Sequence, residues 1–237
     1  MRDEARQKAE VRRIFNAVAP VYDLLNRVLS LREDVRWRRF VARSLRLGPQ
    51  PRVLDVATGT GDLALAVADR TERPLVVGLD LVPAMLGPAR GKIARRGSRV
   101  ALLAGDGTNL PFADGLFDAV TIAFGIRNIP RRVQAMAEMR RVLKPGGRLY
   151  VLEFAAPQRP WVRAFYTRYL AHLLPKVGGM ISGDRASYQY LAETIMEFPT
   201  PPEFRDEMKA AGLAAPRSHD LTGGIAWLHV AERPPLP

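Results

Sequence analysis

Apolar residues near the start of the chain recur at helical rather than alternating spacing. Ile14, Phe15, Val18, Leu25, Val28 and Leu29, then Val35, Phe40, Val41 and Leu45, predict helices across residues 14–47. Ala19-Pro20 should interrupt the first of them, because proline disfavours helical geometry in the residue before it. Further along, short apolar runs at 52–57, 75–79, 100–104, 117–124 and 148–154 predict strands. Helical stretches fall between them, to about residue 70, at 82–92 and at 131–143, the last stopped by Lys144-Pro-Gly-Gly147. Strands alternating with helices in this way imply an α/β protein with a parallel, doubly wound sheet.

The end of the chain departs from that alternation. A helix near 203–211 precedes runs at 216–221 and 225–231, and Gly223-Gly224 between them predicts a β-hairpin. A parallel sheet closed by an antiparallel hairpin resembles the seven-stranded, Rossmann-like fold of class I S-adenosylmethionine-dependent methyltransferases. The 237 residues suffice for one such domain. Its expected parts are an N-terminal helical cap (1–48), a cofactor-binding core (49–154), an inserted helical lid (155–200), and the last helix with the hairpin (201–237).

Composition narrows the chemistry. The chain has no cysteine, which excludes disulfides, thiolate nucleophiles and cysteine-ligated metals. His172, His219 and His229 are scattered, so no metal site is expected. The first thirteen residues are charged and lack the apolar core of a signal peptide, and no apolar run is long enough to span a bilayer. A cytoplasmic protein is therefore expected. The formal net charge of +12 implies an acidic partner, nucleic acid or an anionic membrane surface. An Arg-, Pro- and Ala-rich composition would raise that charge without any functional cause.

The candidate cofactor site begins at Asp55-Val-Ala-Thr-Gly-Thr-Gly-Asp62, which follows a strand and opens a helix. Thr58, Gly59, Thr60 and Gly61 form a turn where the absence of a Cβ lets a ligand approach the backbone. A pyrophosphate would favour a helix N-terminus free of anions. Asp55 and Asp62 beside this turn favour a ligand bearing a sulfonium and an ammonium instead. Asp62 could equally compensate the helix dipole. Asp80, with Leu81, ends the second strand, where a carboxylate can accept both ribose hydroxyls. Asp106-Gly107 follows the third, placing an acceptor for an adenine amino group beside open space. Ala123 and Phe124 end the fourth. Open α/β sheets bind ligands at these carboxyl ends, and S-adenosyl-L-methionine is the cofactor the pattern predicts.

Several further segments resemble the ubiquinone/menaquinone biosynthesis C-methyltransferases (UbiE/MenG type) over nearly the whole chain. They are Tyr22-Asp-Leu-Leu-Asn26, Trp37-Arg38, Phe124-Gly-Ile-Arg-Asn128, Leu143-Lys-Pro-Gly-Gly-Arg148, Leu152-Glu-Phe154, Tyr188-Gln-Tyr-Leu191, Phe198-Pro199 and Leu221-Thr-Gly-Gly-Ile225. Ala123 and Ala155 depart from it, standing where some members carry serine. The resemblance implies methylation of an open ring carbon of demethylmenaquinol, the last step of menaquinone biosynthesis, or of a benzoquinol on the ubiquinone route. Such a carbon becomes nucleophilic when an adjacent hydroxyl loses its proton, so the site must orient the ring and support a phenolate. Arg127 is expected to stabilise that oxyanion. It is a poor base, since its guanidinium stays protonated. It could instead pair structurally with Glu153 or Asp118. Asn128 and Tyr22 are expected to orient the quinol or a water, and Asp23 to cap the first helix.

A polyprenyl quinol lives in the bilayer. Arg36, Arg38, Arg39, Arg43 and Arg46 around Trp37, and Arg159, Trp161, Arg163, Phe165, Tyr166, Arg168 and Tyr169, suit peripheral docking at the inner face of an anionic cell membrane. A solvated basic face with the aromatics packed inward fits the same pattern. A homodimer stays open. Nucleic acid is not expected. An RNA methyltransferase would share the basic charge, but no RNA-binding module, Asn-Pro-Pro-aromatic motif or cysteine nucleophile is present. Methyltransferases of other small molecules would share only the cofactor half.

Overall fold

The computed structural model describes residues 2–70, 73–173 and 185–235. Its centre is one seven-stranded sheet in the order β3-β2-β1-β4-β5-β7-β6. The strands are β1 (Arg52–Val56), β2 (Leu75–Asp80), β3 (Val100–Ala104), β4 (Phe117–Ala123), β5 (Leu143–Phe154), β6 (Ala214–Leu221) and β7 (Ala226–Glu232). The first five are parallel, and β7 lies antiparallel between β5 and β6. Val53, Leu54 and Val56 are all buried because helices cover both faces of the sheet. On one face α6 (Arg132–Val142) and α9 (Pro201–Ala210) bury Met136, Met139, Phe204 and Met208 against Leu54 and Phe117. On the other, α3 (Glu33–Ser44) and α4 (Asp62–Ala68) bury Trp37, Val41, Leu63 and Leu65 against Val53 and Val76. α5 (Pro83–Arg96) follows β2 and packs Met85 beside Val82.

The strand order reverses between β1 and β4, which opens a crevice at their carboxyl ends. Two helices close over it, α1 (Arg2–Val18) and α2 (Tyr22–Leu29). After β5 the chain forms α7 (Pro160–Arg168), a π-helical turn at Tyr169–Leu173, and α8 (Arg185–Met196). Residues 174–184 of the expected lid lie outside the described residues, as do the side chains of Phe165 and Tyr188.

Three boundaries differ from the sequence expectation. Helix α1 begins at Arg2 rather than near residue 14. Val11, Ile14 and Val18 make its buried stripe, and Arg6, Glu10, Arg12 and Arg13 are exposed. Strand β5 starts at Leu143, not Arg148, because Leu143 already pairs with Phe117 and an irregularity absorbs the residues between. Strand β6 starts at Ala214, two residues before the expected run.

Candidate active site

The crevice holds two cavities and a small cleft. The first cavity lies over the ends of β1, β2 and β4. Its walls include Val56, Gly59, Leu79, Asp80, Leu81, Met85, Asp106, Gly107 and Ala123. Asp80 accepts the Gly59 N–H on Oδ2 at 2.7 Å and the Val82 N–H on Oδ1 at 2.8 Å. Each oxygen keeps a second lone pair, so one carboxylate can still receive both hydroxyls of a diol. Burial pushes its carboxyl up, and the two N–H donors hold it back. Asp106 accepts the Thr108 N–H and hydroxyl on Oδ1, while Oδ2 meets the Lys8 ammonium at 2.8 Å. At Gly105 an added Cβ would sit 2.8 Å from Leu79 Cδ1, so the chain beside Asp106 tolerates no side chain without displacement.

Asp55 and Arg38 share the small cleft with Thr58, Gly59, Thr60, Asp62 and Ala123. The Asp55 carboxylate accepts hydroxyl hydrogen bonds from Thr58 at 2.7 Å and Thr121 at 2.6 Å. Burial pushes its carboxyl up to about 6, against the pull of both hydroxyls and of Arg38. The folded state therefore holds this proton more tightly than the unfolded chain, and a tenfold tighter hold corresponds to about 1.4 kcal/mol. The charged form costs stability above pH 6, and the cost disappears as pH falls from about 6 towards 3.8. Asp55→Asn is expected to unfold at higher urea than the unsubstituted protein at pH 8, with the gap closing by pH 4. Equal gaps at both pH values would remove burial as the cause.

Beyond the cleft lies a cavity of roughly 540 Å³, within the size range of small-molecule sites. Leu25, Leu29, Trp37, Tyr166, Leu170 and Ile195 give it an apolar wall. Phe15, Tyr22, Phe124 and Asn128 line both this cavity and the first one, so the two meet at those side chains. Phe124 holds φ at +57° and Ala57 at +51°, in the left-handed region that side chains rarely adopt. Such residues cost about 1–3 kcal/mol each and persist where the surroundings over-determine them. At Phe124 the surroundings are Phe154, stacked at 4.4 Å, and Trp37, tilted at 6.0 Å.

Arg127 sits in the same wall on a short 3-10 turn (Ile126–Asn128). Its Nη1 donates to Glu153 Oε1 at 2.7 Å and to the Phe124 carbonyl at 2.6 Å. Its guanidinium lies 5.7 Å from the Phe154 ring centroid. Glu153 is fully buried and also accepts the Arg127 and Phe154 N–H groups. Burial raises its carboxyl while Arg127 opposes the rise. The structural partner expected for Arg127 is thus Glu153. Asp118 bonds Lys144 and the Arg52 N–H instead. One Arg127 donor, Nε, is buried without an acceptor among the described residues. The Tyr190 hydroxyl lies 3.4 Å from Asn128 Oδ1 across the same cavity.

Residues 2–233 match the model of the ubiE/COQ5 methyltransferase family. The chain belongs to that family. A demethylmenaquinone methyltransferase of Thermus thermophilus is 48% identical over 93% of this chain and 100% of its own length. A ubiquinone/menaquinone biosynthesis C-methyltransferase UbiE of a Geobacter strain is 45% identical over 94% of this chain and 96% of its own. Among solved structures, the [4+2]-cyclase SpnF superposes with a TM-score of 0.70 at 19% identity, covering 97% of each chain. An S-adenosylmethionine-dependent methyltransferase of Thermotoga maritima does so with 0.65 at 19% identity, covering 94% and 99%. These two share the fold, the class I methyltransferase fold expected from the strand pattern.

The family member's crevice gathers most of the residues expected from the sequence. Asp55, Thr58, Gly59, Thr60, Asp80, Leu81, Asp106, Gly107 and Ala123 line the first cavity or the cleft. Gly61 lines none of the three spaces. It serves as the left-handed residue before α4, at φ +81°. Asp62 does not present a free anion to a ligand, because the Lys92 ammonium binds it. Asp23 does not cap a helix: it lies inside α2, accepts the Thr60 hydroxyl at 2.6 Å and pairs with Lys92 at 2.6 Å. Trp37 and Arg38, expected on a docking face, are buried. Trp37 donates to the Thr222 hydroxyl, and Arg38 pairs with Asp34 and lies over the Phe124 ring. Tyr166 is buried as well.

Proposed function

We propose that the protein transfers a methyl group from S-adenosyl-L-methionine to a ring carbon of a reduced polyprenyl quinone, demethylmenaquinol or its benzoquinol counterpart. The supporting observation is the meeting of an acid-lined cavity and a large apolar cavity at Phe15, Tyr22, Phe124 and Asn128. The residues present fit the cofactor. Asp80 has acceptors for a ribose diol, and Val56, Leu79 and Met85 give apolar walls beside Asp106 and Gly107 for a purine. In the cleft, Arg38 suits a carboxylate and Asp55 an ammonium. When bound, the cofactor supplies an electrophilic methyl on a sulfonium.

The chain's own residues then have three tasks. The apolar wall excludes water and holds the ring and the start of its tail. Arg127, fixed by Glu153, holds positive charge near the oxygen that becomes phenolate. Asn128, Tyr22 and Tyr190 orient the quinol or the water that removes its proton. Tyr166, Leu170, Tyr190 and Ile195 of the described part of 155–200 wall the ring cavity together with Leu25 and Leu29 of α2, and α1 covers the cofactor cavity with Lys8, Val11 and Phe15. The substrate reading further implies contact with an anionic membrane.

The test is transfer of a labelled methyl group to reduced demethylmenaquinone and to the matching benzoquinol, with the oxidised quinones as controls. Methylation of the reduced forms alone is expected. No transfer to either quinol would remove this substrate class.

A further inference from the structure

Helix α2 is apolar on two sides. Its inner side turns Tyr22, Leu25 and Leu29 to the large cavity. Its outer side carries Leu24 and Val28, 53% and 41% exposed. Leu31, just beyond the helix, is 85% exposed in a left-handed backbone at φ +51°. Leu24 and Val28, four residues apart, share one side of the helix, and Leu31 follows in the turn beyond it. Val28 and Leu31 also line the cavity, so these side chains are the rim of its mouth. Among the described residues, the apolar cluster that α2 joins, Leu25 with Tyr166, Leu170 and Ile195, lies on the helix's other side.

Charge surrounds the same rim. Arg27, Arg32 and Arg36 are exposed beside it, and Arg36 bonds Glu33 at 2.9 Å. Tyr169 donates its hydroxyl to the Leu29 carbonyl at 2.7 Å, which fixes the turn after α7 to the end of α2. The rim is thus an apolar strip on a held helix, flanked by guanidinium groups, around the opening of an apolar cavity.

We infer that this rim, Leu24, Val28 and Leu31 with Arg27 and Arg32, docks on an anionic phospholipid surface and opens the cavity to the bilayer. The leucines and valine enter the interfacial layer, and the guanidinium groups meet lipid phosphates. The net charge of +12 supplies longer-range attraction. The inference rests on the quinol reading for its purpose, though not for its geometry. Of the docking residues expected from the sequence, Trp37, Arg38 and Tyr166 are buried, whereas Arg36, Arg39, Arg43, Arg46, Arg159, Trp161, Arg163 and Arg168 stay exposed.

The test uses the full chain with vesicles of phosphatidylglycerol and phosphatidylcholine, or of phosphatidylcholine alone, read by co-sedimentation. The unsubstituted protein is expected to bind the anionic vesicles and to release at roughly 1 M salt, where the Debye length is about 3 Å. The double variant L24D/R27E alters exposed positions outside the cavity wall. It should bind at least tenfold more weakly, melt normally and keep its turnover on a short-chain quinol in solution. Its turnover on long-chain quinol embedded in vesicles should fall at least tenfold. L31D should lose vesicle binding to the same degree. Binding of both variants at the unsubstituted level would overturn the inference, as would failure of the unsubstituted protein to bind anionic vesicles at low salt. Failure to methylate any quinol would instead overturn the substrate reading, and the sedimentation result would still decide docking.

Discussion

Asp80→Ala is expected to weaken S-adenosylmethionine binding by at least ~100-fold, while the protein still folds. Two hydrogen bonds from a diol to an ionised carboxylate are worth about 1.5–3 kcal/mol each, and each 1.4 kcal/mol is about tenfold in affinity. The substitution also strips the Gly59 and Val82 N–H groups of their acceptor, which loosens the glycine turn against α5. Asp80→Asn separates the two effects. Its amide keeps one acceptor oxygen and the side-chain volume, so it should fall between the other two proteins. Calorimetric titration with the cofactor and its demethylated product measures this directly. Binding by Asp80→Ala within threefold of the unsubstituted protein would place the ribose elsewhere.

That Asp80 is legible in the sequence follows from how α/β sheets are built. A central parallel strand buried on both faces reads as a nearly unbroken apolar run, and the residues at its carboxyl end stand at the ligand-binding edge. Asp80 and Ala123 end their strands, and Asp55 stands one residue short of the end of β1. The hairpin is legible because glycines at 223 and 224 take left-handed backbone that other residues resist. Long-range pairing is not legible. Nothing local distinguishes Asp62, bonded to Lys92 thirty residues away, from an acid waiting for a ligand. Arg38 and Trp37 look like an interfacial pair until the sheet supplies Phe124, Phe154 and Thr222 to bury them.

The cap over the cofactor cavity shows the intermediate case. Lys8, Val11 and Phe15 line that cavity and stand three and four residues apart, a helical spacing visible in the sequence. Their charged neighbours mask it. The pattern at Leu24 and Val28 misleads in the opposite direction: apolar positions at helical period predict a buried face, yet here the second apolar side of α2 is the exposed one.

Arg127 tests whether a buried ion pair can also serve catalysis. Removing it alone would leave Glu153 fully buried without its counter-charge, and breaking such a pair costs about 3–5 kcal/mol. Loss of activity in Arg127→Ala would therefore say little. The informative protein is R127M/E153Q, which removes both charges and keeps their volumes. Replacing a buried pair by groups of similar size is often neutral for stability, so this variant should melt near the unsubstituted protein and bind cofactor within a few-fold. Its turnover on reduced quinol should still fall about 10²–10³-fold, the usual loss when one donor to a developing oxyanion is removed. The loss should appear in kcat more than in KM, because the charge forms only as the proton leaves. It should also shrink at high pH, where the quinol ionises without help. Normal turnover in R127M/E153Q would make Arg127 the partner that keeps Glu153 buried, and would leave the phenolate to Asn128, Tyr22 and Tyr190.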